Sequence, residues 1–205
     1  DRAHSSWLGV DWFTDAQQTQ EELLQFNVDW LVVDHYAIDD RWESALRSGH
    51  KRIMVIDDLA DRRHDCDLLL DQNLGRVADA YQTLIPNHAY RLIGPKYSML
   101  RPEFAHWREK SLMRRKSPQL KRILITMGGI DENNVTGHVI DCLKKCYLPH
   151  DFKITIVMGS KSPWLAQVQE QANRLPCQTE VLVNVSKMAE LMTFSDLAIG
   201  ACGST

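Results

Sequence analysis

Short apolar segments that stop at an acid constrain the fold of this chain more than any other feature. Trp30–Val33 runs into Asp34, and Ile53–Ile56 runs into Asp57 and Asp58. Segments this short and this uniformly apolar are typical of strands buried on both faces, which occur in parallel sheets covered by helices. Stretches with a helical spacing of apolar residues separate them. The sequence therefore predicts an α/β protein.

The same alternation continues on both sides of these segments. Leu68–Leu70 is a third predicted strand and again ends at an acid, Asp71. One amphipathic helix is predicted to have Glu21–Phe26 as its last residues. A second is predicted over Asp40–Leu46, with Gly49 placed to end it. The first half of the chain thus predicts strands and helices in alternation.

After a polar interval the pattern begins again. Ile123–Met127 is predicted to be a strand, and Asn133 or Asn134 is predicted to cap the helix that follows it. Later helices are predicted to be capped by Ser162 and by Ser186. The later strands are predicted over Phe152–Met158, Val181–Val183 and Leu197–Ile199.

The polar interval is the predicted linker. Residues 106–118 form a helical stretch that Pro118 ends, between an N-terminal domain of residues 1–105 and a C-terminal domain of residues 119–205. Units of this kind joined by a linker predict two Rossmann-like domains. A basic run usually covers a solvated face; alternatively, some of its charges face an anionic ligand. The basic residues are Arg108, Lys110, Arg114, Arg115 and Lys116.

Composition narrows the function classes. A net charge of −3 gives no reason to expect nucleic acid as a partner, and no apolar run approaches the roughly 20 residues that span a bilayer. Five cysteines without a CxxC pair favour a reducing, cytoplasmic location over a disulfide framework. The chain has no initiator Met and stops within a glycine-bearing loop, so we expect truncation at both ends.

Two glycine-bearing segments of the second domain are candidate anion sites, because open parallel sheets bind ligands beyond the carboxyl ends of their strands. Gly128 and Gly129 follow one predicted strand, and Gly200–Thr205 follow another. Helix N-terminal amides and the hydroxyls of the second segment suit a phosphate. Tight turns that need glycine explain each segment equally well. Two such segments in one small domain favour a nucleotide.

In the first domain, Asp34-His35-Tyr36 follows a predicted strand. These groups can transfer protons or orient a reacting group, and they can equally form a structural hydrogen-bonded corner. Asp57 with Asp58, and the segment His64–Asp67, have the composition of metal ligands, but structural roles are the preferred interpretation of both. The sequence predicts no metal and no cofactor.

Segments spread over the chain, taken together and in order, carry a family resemblance. They are Leu31–Tyr36, Asp57–Arg62, Asp71–Asn73, Gly94–Tyr97 with Leu100–Phe104, Met127–Asp131 and Gly203–Thr205. They resemble the UDP-2,4-diacetamido-2,4,6-trideoxy-β-L-altropyranose hydrolases of pseudaminic acid biosynthesis. The resemblance covers essentially the whole chain.

The resemblance implies a bacterial, cytoplasmic hydrolase of UDP-sugars with a glycosyltransferase-B-like fold, related to the N-acetylglucosaminyltransferase of peptidoglycan synthesis. In such folds the C-terminal domain holds UDP and the N-terminal domain faces the sugar, which places Tyr36 beside the reacting sugar. The implied substrate-binding residues are Gly128, Gly129 and Asp131 in the nucleotide cleft, Val185 and Met188 in a uracil-contacting turn, and Ala201, Cys202, Gly203, Ser204 and Thr205 in a diphosphate loop.

The chain departs from the family pattern at both ends. The family's glycine-rich loop, whose histidine activates water, belongs to a strand–helix unit before Asp1, and the Trp-Glu pair that usually follows Gly-Ser-Thr would lie beyond Thr205. His35 belongs to a different motif and does not replace that histidine. We therefore expect this polypeptide to bind UDP weakly and to catalyse nothing by itself. A glycosyltransferase of the same fold and a non-catalytic nucleotide-sugar sensor are the alternatives.

Overall fold

The computed structural model describes residues 4–47, 51–117 and 119–201. The chain divides into two compact units between Met99 and Leu100, and each unit is built on a parallel sheet of four strands. The predicted α/β class with two Rossmann-like parts is confirmed. Predicted features that lie outside the described residues are the helix ends at Gly49 and Pro118 and the loop residues Cys202, Gly203, Ser204 and Thr205.

In the first unit, strands that follow one another along the chain are neighbours in the sheet, in the order β1-β2-β3-β4. The strands are β1 (Trp30–Val33), β2 (Arg52–Ile56), β3 (Leu68–Asp71) and β4 (Tyr90–Ile93). The helices are α1 (Trp12–Leu23) and α2 (Asp40–Leu46), with 3-10 turns at Ser5–Leu8, Ala78–Tyr81 and Pro95–Tyr97.

The sequence predicted β1 and α2 with these bounds, but it gave no indication of β4. Tyr90 in β4 is 76% exposed, and Arg91 interrupts the apolar run. Parallel pairing with β3, with Leu92 opposite Leu70, is what makes this segment a strand. An edge strand buries less than a central one, so its sequence carries a weaker hydrophobic pattern.

The core of the first unit lies on one face of its sheet. Alternate residues of the strands point to this face, as the twofold repeat of a strand requires. Val33, Ile53, Val55 and Leu69 pack there with Trp42 of α2. The indole nitrogen of Trp42 donates a hydrogen bond to Asp15 of α1 at 2.7 Å, so burial of this large ring leaves its polar atom satisfied.

In the second unit the strand order is β7-β6-β5-β8. The chain moves outward from β5 to β7 and then returns to the other side of β5, which creates a topological switch point between β5 and β8. The strands are β5 (Arg122–Thr126), β6 (Lys153–Met158), β7 (Gln178–Val183) and β8 (Leu197–Gly200). The helices are α3 (Pro102–Arg114), α4 (Val135–Leu143), α5 (Leu165–Asn173) and α6 (Met188–Phe194).

Both faces of this second sheet are buried near β5. Ile123 and Ile125 pack into one apolar cluster, whereas Leu124 packs into another with Met188 of α6 and Phe104 of α3. A strand with apolar neighbours on both faces has a continuous apolar sequence, which explains why β5 was recognisable from the sequence.

One of the three predicted helix caps is confirmed. The side chain of Asn134 accepts a hydrogen bond from the amide of Gly137 and caps α4. The predictions for Ser162 and Ser186 are wrong, because α5 begins after Trp164 and α6 begins after Lys187, neither with a side-chain cap. Pro163 and Trp164 separate Ser162 from α5, and Lys187 separates Ser186 from α6.

Most of the stretch predicted as a linker lies within α3, which belongs to the second unit. This helix packs against α6, with the rings of Trp107 and Phe194 5.8 Å apart. Lys110 lies over both rings, so one member of the basic run covers aromatic surface. Across residues 4–47, 51–117 and 119–201, we find no helix with the length and apolar character needed to cross a membrane.

Candidate functional site

The described residues of the two predicted glycine-bearing segments, Gly128 and Gly129 in one and Gly200 and Ala201 in the other, lie side by side at the switch point. Gly128 follows β5 with a positive φ of 86°, and Gly200 ends β8. The amide of Ala201 contacts the carbonyl oxygen of Thr126 at 3.3 Å, which joins the ends of the two strands. Gly128, Gly129, Gly200 and Ala201 are exposed, so their backbone groups are accessible at the carboxyl edge of the sheet.

The loop after β5 also rests against the end of β6. A β-carbon on Gly159 would lie 2.1 Å from the carbonyl oxygen of Gly129, far inside the contact distance of real atoms. Gly159 therefore has to be glycine if the 128–129 loop is to keep this position. The sequence showed glycine at both strand ends, but only the fold reveals that the two backbones touch.

The N-terminus of α4 is occupied by side chains of its own loop. The carboxylate of Asp131 accepts hydrogen bonds from the amides of Val135 and Thr136 at 2.8 and 2.9 Å, and Asn134 takes the amide of Gly137. Partial burial alone would raise the pKa of Asp131, but hydrogen bonds from Thr136 and Val135 hold it below the usual value. A phosphate at these helix amides would have to displace Asp131.

A cavity of about 320 Å³ opens at the end of β7, where the uracil-contacting turn was expected. Val185 is half-buried in its wall, whereas the side chain of Met188 is buried in the core beneath. Apolar walls with a few polar groups at the rim are typical of small-molecule sites. The lining residues are Leu182, Asn184, Val185, Ser186, Lys187, Glu190 and Leu191.

Asn184 ties this cavity to the neighbouring strand end. Its backbone has a positive φ of 52°, a conformation that asparagine tolerates better than most residues. Its side-chain oxygen accepts from the amide of Ser160, and its side-chain nitrogen donates to the hydroxyl of Ser160, both at 2.9 Å. The loop after β7 therefore contacts the loop after β6 through Asn184 and Ser160. The loop after β6 contacts the loop after β5 through Gly159 and Gly129.

In the first unit, Tyr36 has a specific partner that the sequence did not indicate. Its phenol oxygen donates a hydrogen bond to Oδ2 of Asp58 at 3.1 Å. This bond, together with partial burial and the charge of Asp58, raises the pKa of Tyr36 above its usual value. The rings of His4 and Trp7 lie 5.2 and 5.8 Å from the tyrosine ring.

His35 has a local structural contact instead. Its Nδ1 atom accepts a hydrogen bond from the amide of Ala37 at 3.1 Å, which closes a tight turn after β1. Of the triplet Asp34-His35-Tyr36, the histidine thus forms the hydrogen-bonded corner, while the tyrosine reaches across to another loop.

A buried polar network lies beneath this pair. The phenol of Tyr81 lies 2.8 Å from Asp57 and 2.9 Å from Asp71, and each carboxylate also binds an arginine, Arg62 at 2.7 Å and Arg76 at 2.6 Å. Both carboxylates are almost fully buried, and a buried charge is stable only when it is paired in this way. Asp57 is thus a structural residue.

The segment His64–Asp67 is structural as well. Nδ1 of His64 lies 2.7 Å from Oε1 of Glu43, and both side chains are almost fully buried. Asp67 accepts the amide of Ile53 and pairs with Arg47. Within the described parts of the chain, no three histidine, cysteine, aspartate or glutamate side chains converge in a way that could hold a metal ion.

The chain is similar in sequence to two known proteins and in fold to one solved structure. No protein-family model matches the chain. It is 26% identical over 196 residues to an uncharacterised protein of Methanocaldococcus jannaschii, a match that covers 94% of this chain and 40% of that protein. It is 29% identical over 176 residues to the UDP-2,4-diacetamido-2,4,6-trideoxy-beta-L-altropyranose hydrolase of Campylobacter jejuni, covering 85% of this chain and 60% of the hydrolase.

The crystal structure of Acinetobacter baumannii MurG matches with a TM-score of 0.63 at 14% sequence identity, over 94% of this chain and 52% of that one. The fold is glycosyltransferase-B-like. At this identity the likeness concerns the fold alone, and it confirms the fold class that the sequence predicted. The chain spans less than two thirds of the length of each curated relative described above.

The glycosyltransferase-B-like second unit brings together Gly128, Gly129, Gly200 and Ala201, and it places Val185 in the wall of a cavity. The loop residues from Cys202 to Thr205 lie outside the described residues. The sequence analysis named Asp58 only as a candidate metal ligand and Arg62 only within the segment Asp57–Arg62, and nothing in it indicated that Tyr81 and Arg76 join their network. The acids at the ends of the predicted strands were the available indication that polar groups gather at the carboxyl edge of the first unit's sheet.

Proposed function

We propose that the full protein carrying this chain is a bacterial, cytoplasmic hydrolase that releases UDP from UDP-2,4-diacetamido-2,4,6-trideoxy-β-L-altropyranose, a step of pseudaminic acid biosynthesis. The similarity to the Campylobacter hydrolase along most of the chain supports this substrate. The second unit binds UDP in this proposal, and the first unit contributes Tyr36 to the reaction.

The observation that carries the proposal is the cavity beside Asn184 in the same unit as the switch-point glycines. A nucleobase has two apolar faces and a polar edge, which suits walls made by Leu182, Val185 and Leu191 with polar groups at the rim. A diphosphate needs hydrogen-bond donors, which the backbone amides of exposed Gly128 and Gly129 after β5 can supply.

In the proposed reaction, water attacks the anomeric carbon of the sugar from the face opposite UDP. The bond between that carbon and the diphosphate oxygen breaks, and UDP leaves with the bonding electrons. Backbone amides stabilise the developing negative charge. The water proton passes to a general base, for which the family resemblance names the histidine of the family's glycine-rich loop. The displacement inverts the anomeric centre.

Turnover of the full protein in oxygen-18 water, with a chelator present, tests which bond breaks. We expect the label in the released sugar, measured before mutarotation exchanges it. Label in UDP, or loss of activity with the chelator, would indicate attack at phosphorus with a metal ion and contradict the proposal. UDP release only after a sugar or lipid acceptor is added would instead indicate a glycosyltransferase of this fold.

A binding experiment tests the cavity. Val185→Trp fills the space at the end of β7, so UDP affinity measured by calorimetry should fall by at least tenfold. Val183→Trp is the matched control, because Val183 is 38% exposed and does not line the cavity. Equal affinities of the two variants would place the nucleobase elsewhere.

A further inference from the structure

Tyr36 and Asp58 form a hydrogen-bonded pair in which Tyr36 is the donor and Asp58 is the acceptor. A phenol carries one proton, and the proton of Tyr36 is directed to Oδ2 of Asp58. The phenol oxygen therefore has only lone pairs left for another partner. Oδ1 of Asp58 is buried and has no hydrogen-bond partner among the described residues, so it too can only accept while the acid is ionised.

We propose that Asp58 is a positioning residue that fixes Tyr36 as a hydrogen-bond acceptor, so that the pair binds a neutral donor of the substrate, namely a water molecule or a sugar O–H or N–H group. An anionic group is disfavoured there, because it would face a carboxylate and two sets of lone pairs. Within the proposed function, on which the identity of the donor rests, the pair orients the attacking water or the sugar rather than the diphosphate.

The backbone of Asp58 is fixed by hydrogen bonds from two side chains. Its carbonyl oxygen accepts hydrogen bonds from Nη2 of Arg76 at 2.6 Å and from the side-chain amide of Asn73 at 3.1 Å. Arg76 is fixed in turn by Asp71 of β3. Three contacts thus connect the Asp58 peptide to the end of the neighbouring strand, which limits how far its carboxylate can move.

Tyr36 is held in a similar way from the other side. Arg62 donates to the carbonyl oxygen of Ile38 at 2.8 Å and lies 3.4 Å from that of His35, so it binds the loop on both sides of Tyr36. Arg62 also pairs with Asp57, which Tyr81 connects to Asp71. The two halves of the pair are therefore anchored to one buried network, which favours a single geometry over alternative rotamers.

The charge around Tyr36 points the same way. The hydrogen bond to Asp58 and the nearby acids raise the pKa of Tyr36, so the phenol is neutral at physiological pH and is no phenolate base. A hydrogen bond donated to a carboxylate also polarises the phenol oxygen and makes it a stronger acceptor. Tyr36 is thus suited to orient a hydrogen-bond donor of the substrate and does not act as the base that removes the donor's proton.

The pairing is tested in the full protein with tyrosine labelled at the ring Cζ carbon. The chain has five tyrosines, so Tyr36 can be identified by the signal that Tyr36→Phe removes. At pH 10 an ordinary tyrosine is about half ionised. We expect Tyr36 to be less ionised there than an ordinary tyrosine in the wild type and to ionise further in Asp58→Asn. Asp79→Asn is the matched control, since Asp79 is exposed and is not among the acids that raise the pKa of Tyr36.

The role in catalysis is tested by turnover of the same variants. Asp58→Asn can donate its amide to the phenol and reverse the polarity of the pair, so kcat should fall by about 10- to 1,000-fold with KM nearly unchanged, as in Tyr36→Phe. Asp79→Asn should keep the wild-type kcat.

If Tyr36 ionises to the same extent in Asp58→Asn as in the wild type, the two side chains are not paired. If its ionisation changes but kcat stays normal, Asp58 has no positioning role in the reaction. Absence of UDP release by the wild-type protein contradicts the proposed function instead, and the ionisation experiment then decides the pairing by itself.

Discussion

Gly159 lies so close to Gly129 that a β-carbon on the first would come within 2.1 Å of the carbonyl oxygen of the second. Gly159 directly follows β6 and Gly129 lies in the loop after β5, and their contact fixes the position of the loop that we propose to bind the diphosphate. Because the nearest atom belongs to the backbone, no side-chain movement can relieve a clash at this point.

Gly159→Ala should therefore destabilise the protein by about 1–3 kcal/mol, the range of overpacked sites, and weaken UDP binding. Gly129→Ala is the stability control, because a β-carbon there meets nothing within 4 Å. Urea unfolding measures the free energy, and calorimetry with UDP measures the affinity. Equal unfolding free energies for both variants would show that the two loops separate without cost.

Asp131→Asn should lower the free energy of unfolding at pH 7 by about 0.5–1.5 kcal/mol, because an amide has one acceptor oxygen and one of the two helix N–H groups loses its partner. Asparagine keeps the positive φ of 48° at this position, so backbone strain does not contribute. The pKa of Asp131 is lowered in the folded state, so its stabilising contribution is present above the unfolded pKa and is lost as pH falls through the folded pKa.

The stability difference between wild type and Asp131→Asn should accordingly shrink as the pH falls below about 3.9, the reference value for aspartate. Urea unfolding at several pH values checks this. A difference that stays constant down to pH 2 would exclude the charged cap. Weaker UDP binding by a fully folded variant would support the nucleotide contact that the family resemblance implies for Asp131.

Asp196→Ala should destabilise the second unit by about 1–3 kcal/mol, because the amides of Lys121 and Arg122 lose their acceptor. Arg114 binds the same carboxylate and also donates to the carbonyl oxygen of Ser195 at 3.1 Å. Arg114→Ala should cost less, about 0.2–1 kcal/mol, since this pair is partly solvated. A double-mutant cycle by urea unfolding measures their coupling. An Arg114→Ala variant of normal stability that binds UDP more weakly would instead place Arg114 at an anionic ligand.

Cys66 should resist alkylation in the folded protein. It is fully buried, and burial together with the charge of Glu43 raises the pKa of its thiol to about 12. Cys142 and Cys146 are exposed and serve as internal controls. Iodoacetamide at pH 8, followed by peptide mass spectrometry, should modify the two exposed thiols, and Cys66 only after unfolding in guanidinium. Rapid labelling of Cys66 in the native protein would contradict the packing of the first core.

The sequence by itself was sufficient for the central elements. β2 and β5 each lie between two other strands and are short apolar runs, and such runs have few alternatives to a buried parallel strand. Since carboxyl ends of parallel strands meet at one edge, the glycine segments after β5 and β8 could be assigned to the same edge before any contact was known. The edge strand β4 was not predicted because exposed Tyr90 and the charged Arg91 give it no continuous apolar pattern.

Only the tertiary structure decided which polar groups meet. Tyr36 and Asp58 lie 22 residues apart, and Tyr81 and Asp57 lie 24 apart, without any motif that joins them. The helix amides that suited a phosphate turned out to bind Asp131, because a loop side chain five residues away competes for the same donors. Hydrophobic periodicity records which face of an element is buried, and it does so locally; a hydrogen bond between distant side chains depends on loop geometry that no local pattern encodes.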